Sequence, residues 1–132
     1  MKEDFTHRLG AETVTAGDGV CEMGLEIGEF HQSSASRAHG GVLFSLLDTA
    51  MGRAVITKLG EGRGCATIEA KINYFRPVQS GRIVARAEVV RMTRRTAYVE
   101  GRITDEAGND LARCSGTFML MDSMKQAERE RV

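Results

Sequence analysis

Hydrophobic and polar positions change rhythm along this chain, and each rhythm predicts an element. Residues 1–10 read as a short lead-in helix. Over residues 11–29 the two classes alternate, with Val20, Glu22, Gly24, Glu26 and Gly28 on one side and Cys21, Met23, Leu25 and Ile27 on the other. That period of two predicts strand, and Gly17-Asp18-Gly19 interrupts it as a hairpin turn. Residues 31–38 are small and polar and read as a loop. From Val42 to Leu59, eleven of eighteen residues are apolar, and Ser45, Asp48, Thr49, Gly52 and Arg53 form one narrow polar stripe at helical spacing. This predicts a buried helix about 27 Å long. Gly60-Glu61-Gly62 gives it a glycine stop.

Four alternating runs follow. Residues 64–75 place Ala66, Ile68, Ala70, Ile72 and Tyr74 inward, with Thr67, Glu69, Lys71 and Asn73 on the opposite face. Residues 82–92 turn Ile83, Ala85, Ala87 and Val89 inward, and residues 96–104 do the same with Ala97, Val99, Gly101 and Ile103. Residues 111–121 bury Ala112, Cys114, Gly116, Phe118 and Leu120. Short turns between the runs predict antiparallel pairing. One apolar helix against one sheet with a single apolar face makes a two-layer α+β domain. The inward positions are small, which lets a long antiparallel sheet curl closely around one central helix.

Composition narrows the function classes. The 132 residues fit a single domain, 1–132, with a charged tail over 122–132. Lys+Arg and Asp+Glu are both 18, a net charge of zero, which argues against a nucleic-acid partner. Cys21, Cys65 and Cys114 are widely spaced and without a CxxC, so free thiols are expected, not a disulfide framework or a metal site. The first ten residues lack an apolar core for a secretory signal, and no apolar run approaches a membrane span. A cytoplasmic location with no membrane partner is the expectation.

The chemistry concentrates at the helix start. His39-Gly40-Gly41 leads into the helix, Asp48 follows seven residues after the second glycine, and Gly52 closes the motif. This segment resembles the hotdog-fold acyl-CoA thioesterases, specifically their phenylacetate-degradation (PaaI-like) branch. The strand from Ala66-Thr67-Ile68-Glu69 through Asn73-Tyr74-Phe75-Arg76-Pro77 resembles that family too, as does Ala112-Arg113-Cys114-Ser115-Gly116-Thr117-Phe118. The resemblance spans roughly residues 9–121 and implies the hotdog fold, hydrolysis of an acyl-CoA or aryl-CoA thioester, and no cofactor.

Physical chemistry says why such residues suit that reaction. Two glycines opening a helix present backbone N–H groups that a ligand can approach closely, and the helix dipole adds positive potential. Gly41, with Gly40 beside it, is therefore the candidate oxyanion hole. Asp48, a carboxylate on a mostly apolar helix, is the candidate base or nucleophile. Thr67 matches a strand hydroxyl that the resemblance implies orients water; an ordinary strand threonine is the competing reading. His39 reads as a loop anchor and not as a base, because its two ring nitrogens readily tie backbone together. Ser33 and Ser36 stand where the family pattern carries Asn and Gly, so Ser33 would contact substrate with a shorter reach.

Gly41 and Asp48 lie about 10.5 Å apart along a helix axis, too far for both to act on one carbonyl. Two antiparallel helices from two copies resolve this, so an isologous homodimer with shared sites is expected. The resemblance implies the same, with dimers also pairing into homotetramers. The turn carrying Arg91, Arg94 and Arg95 is a candidate contact for the CoA phosphates, with Arg76 a further arginine at a strand end. Two other classes compete. A non-catalytic acyl-CoA-binding module fits the departure at Ser33, and a hotdog dehydratase or hydratase is disfavoured by the absence of an Asp-x-Asn-x-x-His run.

Overall fold

A computed structural model describes residues 3–122. The tail read from residue 122 onward lies outside the described residues after Asp122. The chain runs α1 (Phe5–Leu9), β1 (Glu12–Gly17), β2 (Val20–Ile27), a 3-10 turn (Glu29–His31), α2 (Gly40–Ile56), β3 (Gly64–Tyr74), β4 (Gly81–Met92), β5 (Thr96–Asp105) and β6 (Asp110–Met121). The six strands make one antiparallel sheet in the order β1-β2-β4-β5-β6-β3. α2 lies across its concave face, the hotdog arrangement. Asp18 and Gly19 both take positive φ, 52° and 80°, making the primed turn that joins β1 to β2.

The core is α2 against the small-residue face of the sheet. Leu43, Leu46, Leu47, Ala50, Met51, Ala54 and Val55 are buried from the helix, and Ala85, Ala87, Ala97 and Ala112 from the strands. Two glycines set how closely the layers approach. A Cβ on Gly101 would stand 2.9 Å from Leu47 Cδ2. One on Gly116 would stand 3.1 Å from the Glu69 carbonyl oxygen and 3.3 Å from Met51 Cε. A backbone oxygen cannot step aside, so Gly116→Val is expected to cost about 1–3 kcal/mol, read as a lower midpoint in urea unfolding.

The helix begins two residues before the expected Val42 and ends at Ile56 instead of Leu59. His39 explains the start, since its side chain caps the first turn. Beyond Ile56 the chain continues in tight turns, Lys58 N–H to Val55 O and Leu59 N–H to Ile56 O, so the apolar rhythm outlasts the α-helix.

One strand departs from the expected faces. In β3, Thr67 pairs with Phe118 and Glu69 pairs with Thr117, leaving Ile68 as a bulge with no partner on β6. Opposed residues share a face, so the extra residue exchanges the two faces along β3. After the bulge Ala70, Ile72 and Tyr74 share the inner face with Gly116, Cys114 and Ala112, as expected. Before it, Cys65 and Thr67 are inner, while Ala66 and Ile68 are not, and Ile68 is 59% exposed. The inward placement of Ala66 and Ile68, and the outward one of Thr67, are therefore corrected.

Candidate active site

α2 starts from a loop held at several points. His39 has an extended backbone, and its Nδ1 accepts the Gly41 N–H at 2.8 Å. Nδ1 must then be unprotonated, with any ring proton on Nε2. The Gly40 N–H has no acceptor among the described residues. The Tyr74 hydroxyl donates to the Gly40 carbonyl at 2.6 Å, and a Cβ on Gly40 would meet the Tyr74 ring at 3.1 Å. Behind the loop, buried His31 accepts the Gly28 N–H on Nδ1 at 3.0 Å and donates from Nε2 to the Leu9 carbonyl at 2.7 Å. Its own carbonyl accepts the His39 N–H at 2.8 Å. Ser36, where the family pattern has glycine, sits at φ 59°, in the left-handed region that favours glycine.

The carboxylate lies two turns further along α2. Asp48 is half-buried in the polar stripe, and its Oδ1 accepts a hydrogen bond from the Thr67 hydroxyl at 2.8 Å. The bulge at Ile68 is what turns Thr67 toward the helix. Thr49 bonds its own helix, Oγ1 to the Ser45 carbonyl at 2.7 Å, and does not compete for Asp48. Asp48 with Thr67 forms one cluster, and His39, Gly40 and Gly41 with Tyr74 form another.

Residues 36–112 match the family model of the thioesterase superfamily. The chain belongs to the thioesterase superfamily. It is a hydrolase acting on thioesters. Among solved structures, this thioesterase is 34% identical to a conserved protein from Pseudomonas aeruginosa, covering 92% of this chain and 96% of that one, with a TM-score of 0.87. It is 30% identical to a variant of the phenylacetic acid degradation protein PaaI from Thermus thermophilus, covering 87% and 96%, with a TM-score of 0.81. A thioesterase from Haemophilus influenzae shares the fold at a TM-score of 0.88 and 23% identity, covering 93% and 86%.

Other expected site residues of the thioesterase stand apart. The Ser33 hydroxyl accepts the Ala35 N–H at 3.2 Å, inside its own turn. Arg94 and Arg95 occupy the exposed β4–β5 turn. The Arg95 carbonyl there accepts the Leu120 N–H, and Leu120 is paired with Cys65 near the beginning of β3. His39-Gly40-Gly41 stand at the other end of β3, beside Tyr74. Sequence reading missed His31 and the Tyr74 hydroxyl. A lone histidine opening a polar loop and a tyrosine ending an alternating run carry no local signal of either bond.

The thiols report on the field around Asp48. Burial pushes Cys65 and Cys114 up to about 11, with the Asp48 charge adding to both. Tyr74 is also raised, by burial first and then by Cys114. A thiol with a raised folded-state pKa favours the fold while protonated, and that contribution fades as pH climbs from about 9 through about 11. Stability is therefore expected to fall over that window. Alkylation of Cys65 at pH 8 is expected to be slow, and faster in Asp48→Asn, which removes the neighbouring charge. Rates by mass spectrometry check this; equal rates in both proteins would break the link between the two residues. Among the described residues, no cluster of three His, Cys, Asp or Glu side chains could hold a metal ion. None of the described helices is long and apolar enough to cross a membrane.

Proposed function

We propose that this thioesterase hydrolyses acyl-CoA or aryl-CoA thioesters to the free acid and CoA in a site shared by two copies of the chain. The observation that carries this reading is the Asp48 carboxylate held by the Thr67 hydroxyl at 2.8 Å on the half-open face of an apolar helix. One oxygen is oriented by Thr67, which leaves the other for chemistry. As base, Asp48 takes a proton from water while the water oxygen bonds the carbonyl carbon. The C–S bond then breaks, and the CoA thiolate leaves and is protonated. As nucleophile, Asp48 bonds that carbon itself and expels the thiolate, and water cleaves the resulting anhydride. Label in the Asp48 carboxylate after single turnover in heavy-oxygen water marks the second route, with water attacking the Asp48 carbonyl of the anhydride.

On either route the carbonyl oxygen gains negative charge, and the Gly40–Gly41 N–H groups are the donors for it. Gly41 releases His39 Nδ1 as the oxyanion takes its N–H. The second copy supplies the Asp48 that one helix cannot bring to its own Gly41. Among the described residues the outer edge of the eleven-residue β3 is unpaired, and with Ile68 59% and Tyr74 50% exposed it supports such a neighbour. Pairing of dimers into tetramers is compatible with the neutral net charge. Three free cysteines accord with a reducing cytoplasm.

The test is a panel of acetyl-, hexanoyl-, palmitoyl-, benzoyl- and phenylacetyl-CoA, followed by loss of thioester absorbance. Turnover of one acyl class names the substrate. No turnover of any would overturn the reading.

A further inference from the structure

Two adjoining grooves lie beside the loop that leads into α2, the first reaching its opening turn, and neither is lined by a carboxylate. The first, about 360 Å³, runs past Gly40, Leu43, Tyr74 and Phe75, and the second, about 630 Å³, past Ala35, Gln79 and Ser80. Arg37, Arg76, Pro77 and Val78 line both, so the two arginines stand where the grooves meet. Both side chains are exposed, and neither has an acidic partner within salt-bridge distance among the described residues. The groove on the outer sheet face, about 470 Å³, differs: Glu88 and Glu100 line it, and Arg86 is already bound to Glu88 at 3.0 Å.

We infer that Arg37 and Arg76 bind the phosphates of the CoA moiety, with its pantetheine arm lying along the groove that ends beside Gly40. This rests on the acyl-CoA reading above. A thioester whose carbonyl meets the first turn of α2 must send its long arm away from the helix. The groove past Leu43, Tyr74 and Phe75 begins at that turn and leads to the two guanidinium groups. Guanidinium donors match phosphate oxygens in geometry and charge. No carboxylate lines either groove, and the nearest acidic influence on Arg76 is the Asp105 carboxylate, which feels its charge without an ion pair. Arg94 and Arg95 lie at the far end of the sheet within one chain, yet antiparallel helices in a dimer could carry a second copy's turn toward the same mouth. The experiment therefore includes them.

The experiment compares two thioesters of the same acyl group, one of CoA and one of N-acetylcysteamine, which lacks every phosphate. The quantity read is the ratio of kcat/KM for the first to that for the second. In Arg37→Ala and Arg76→Ala the ratio is expected to fall about tenfold each, the usual worth of a charge-assisted hydrogen bond, with the loss carried by KM. Arg→Lys variants should recover part of it. If the ratio in the double variant equals wild type, or falls only in Arg94→Ala/Arg95→Ala, the inference is overturned while the acyl-CoA reading stands. If neither ester is hydrolysed, that reading fails, and calorimetry with CoA alone decides the site. Binding by wild type that weakens at least about tenfold in the double variant sustains it, and no binding or equal binding sinks it.

Discussion

Asp48→Asn is expected to fold normally and to lose about 10²–10⁴-fold in kcat/KM toward the best CoA ester, the span typical of general-base or nucleophile loss. The substitution is isosteric, and its amide oxygen can still accept the Thr67 hydroxyl, so the contact at 2.8 Å persists while charge and basicity vanish. A carboxylate serving only to hold Thr67 would be replaced by Asn at little cost to turnover. Retention of more than about a tenth of wild-type activity would assign Asp48 that structural role. Melting temperature and alkylation of Cys65 on the same sample separate a chemical defect from a folding one. The first should stay close to wild type, and the second should rise.

Most of this fold was legible because its strands obey a strict period of two over long runs. Cys21, Met23, Leu25 and Ile27 of β2, and the inward sets of β4, β5 and β6, follow the alternation into the core. β3 resisted for a physical reason. Thr67, Ile68 and Glu69 alternate without a flaw, and nothing in their identities announces that Ile68 pairs with no residue. Whether a residue is squeezed out of a ladder depends on its neighbour strand, which the local sequence does not contain. Val90 repeats this in β4, where the register shifts between Val89 and Arg91 and Val90 is 55% exposed. At the candidate site, Asp48 and the glycine pair were visible through chemistry and spacing. The supports were not: Tyr74 reaches Gly40 across 34 positions, and His31 reaches Leu9 across 22. Arg76 drew notice together with the basic turn at Arg94-Arg95, but that it shares a groove beside α2 with Arg37 is visible only in the fold.

Two inactive variants are expected to restore activity when they share a dimer. In one, Asp48→Asn removes the carboxylate. In the other, Gly41→Pro removes the N–H at a first-turn position, where no i→i−4 bond is lost, although the His39 cap at 2.8 Å goes with it and the His39 ring must give way. Each homodimer then has two defective sites. If Gly41 of one copy works with Asp48 of the other, a heterodimer has one site carrying both defects and one carrying neither. Purified through a different tag on each chain, it should show about half the wild-type activity per dimer, since one of two isologous sites is intact. A site built within one chain gives no intact site in the heterodimer, and activity stays at the level of the parents. Failure of Gly41→Pro to fold would be visible as no doubly tagged dimer, and Gly40→Pro, which removes the free N–H beside it, is the second variant to pair with Asp48→Asn. The argument for sharing is one of length. Seven helical residues separate the backbone donor from the carboxylate, about 10.5 Å along α2, and no rotation of the Asp48 side chain closes that gap within one copy.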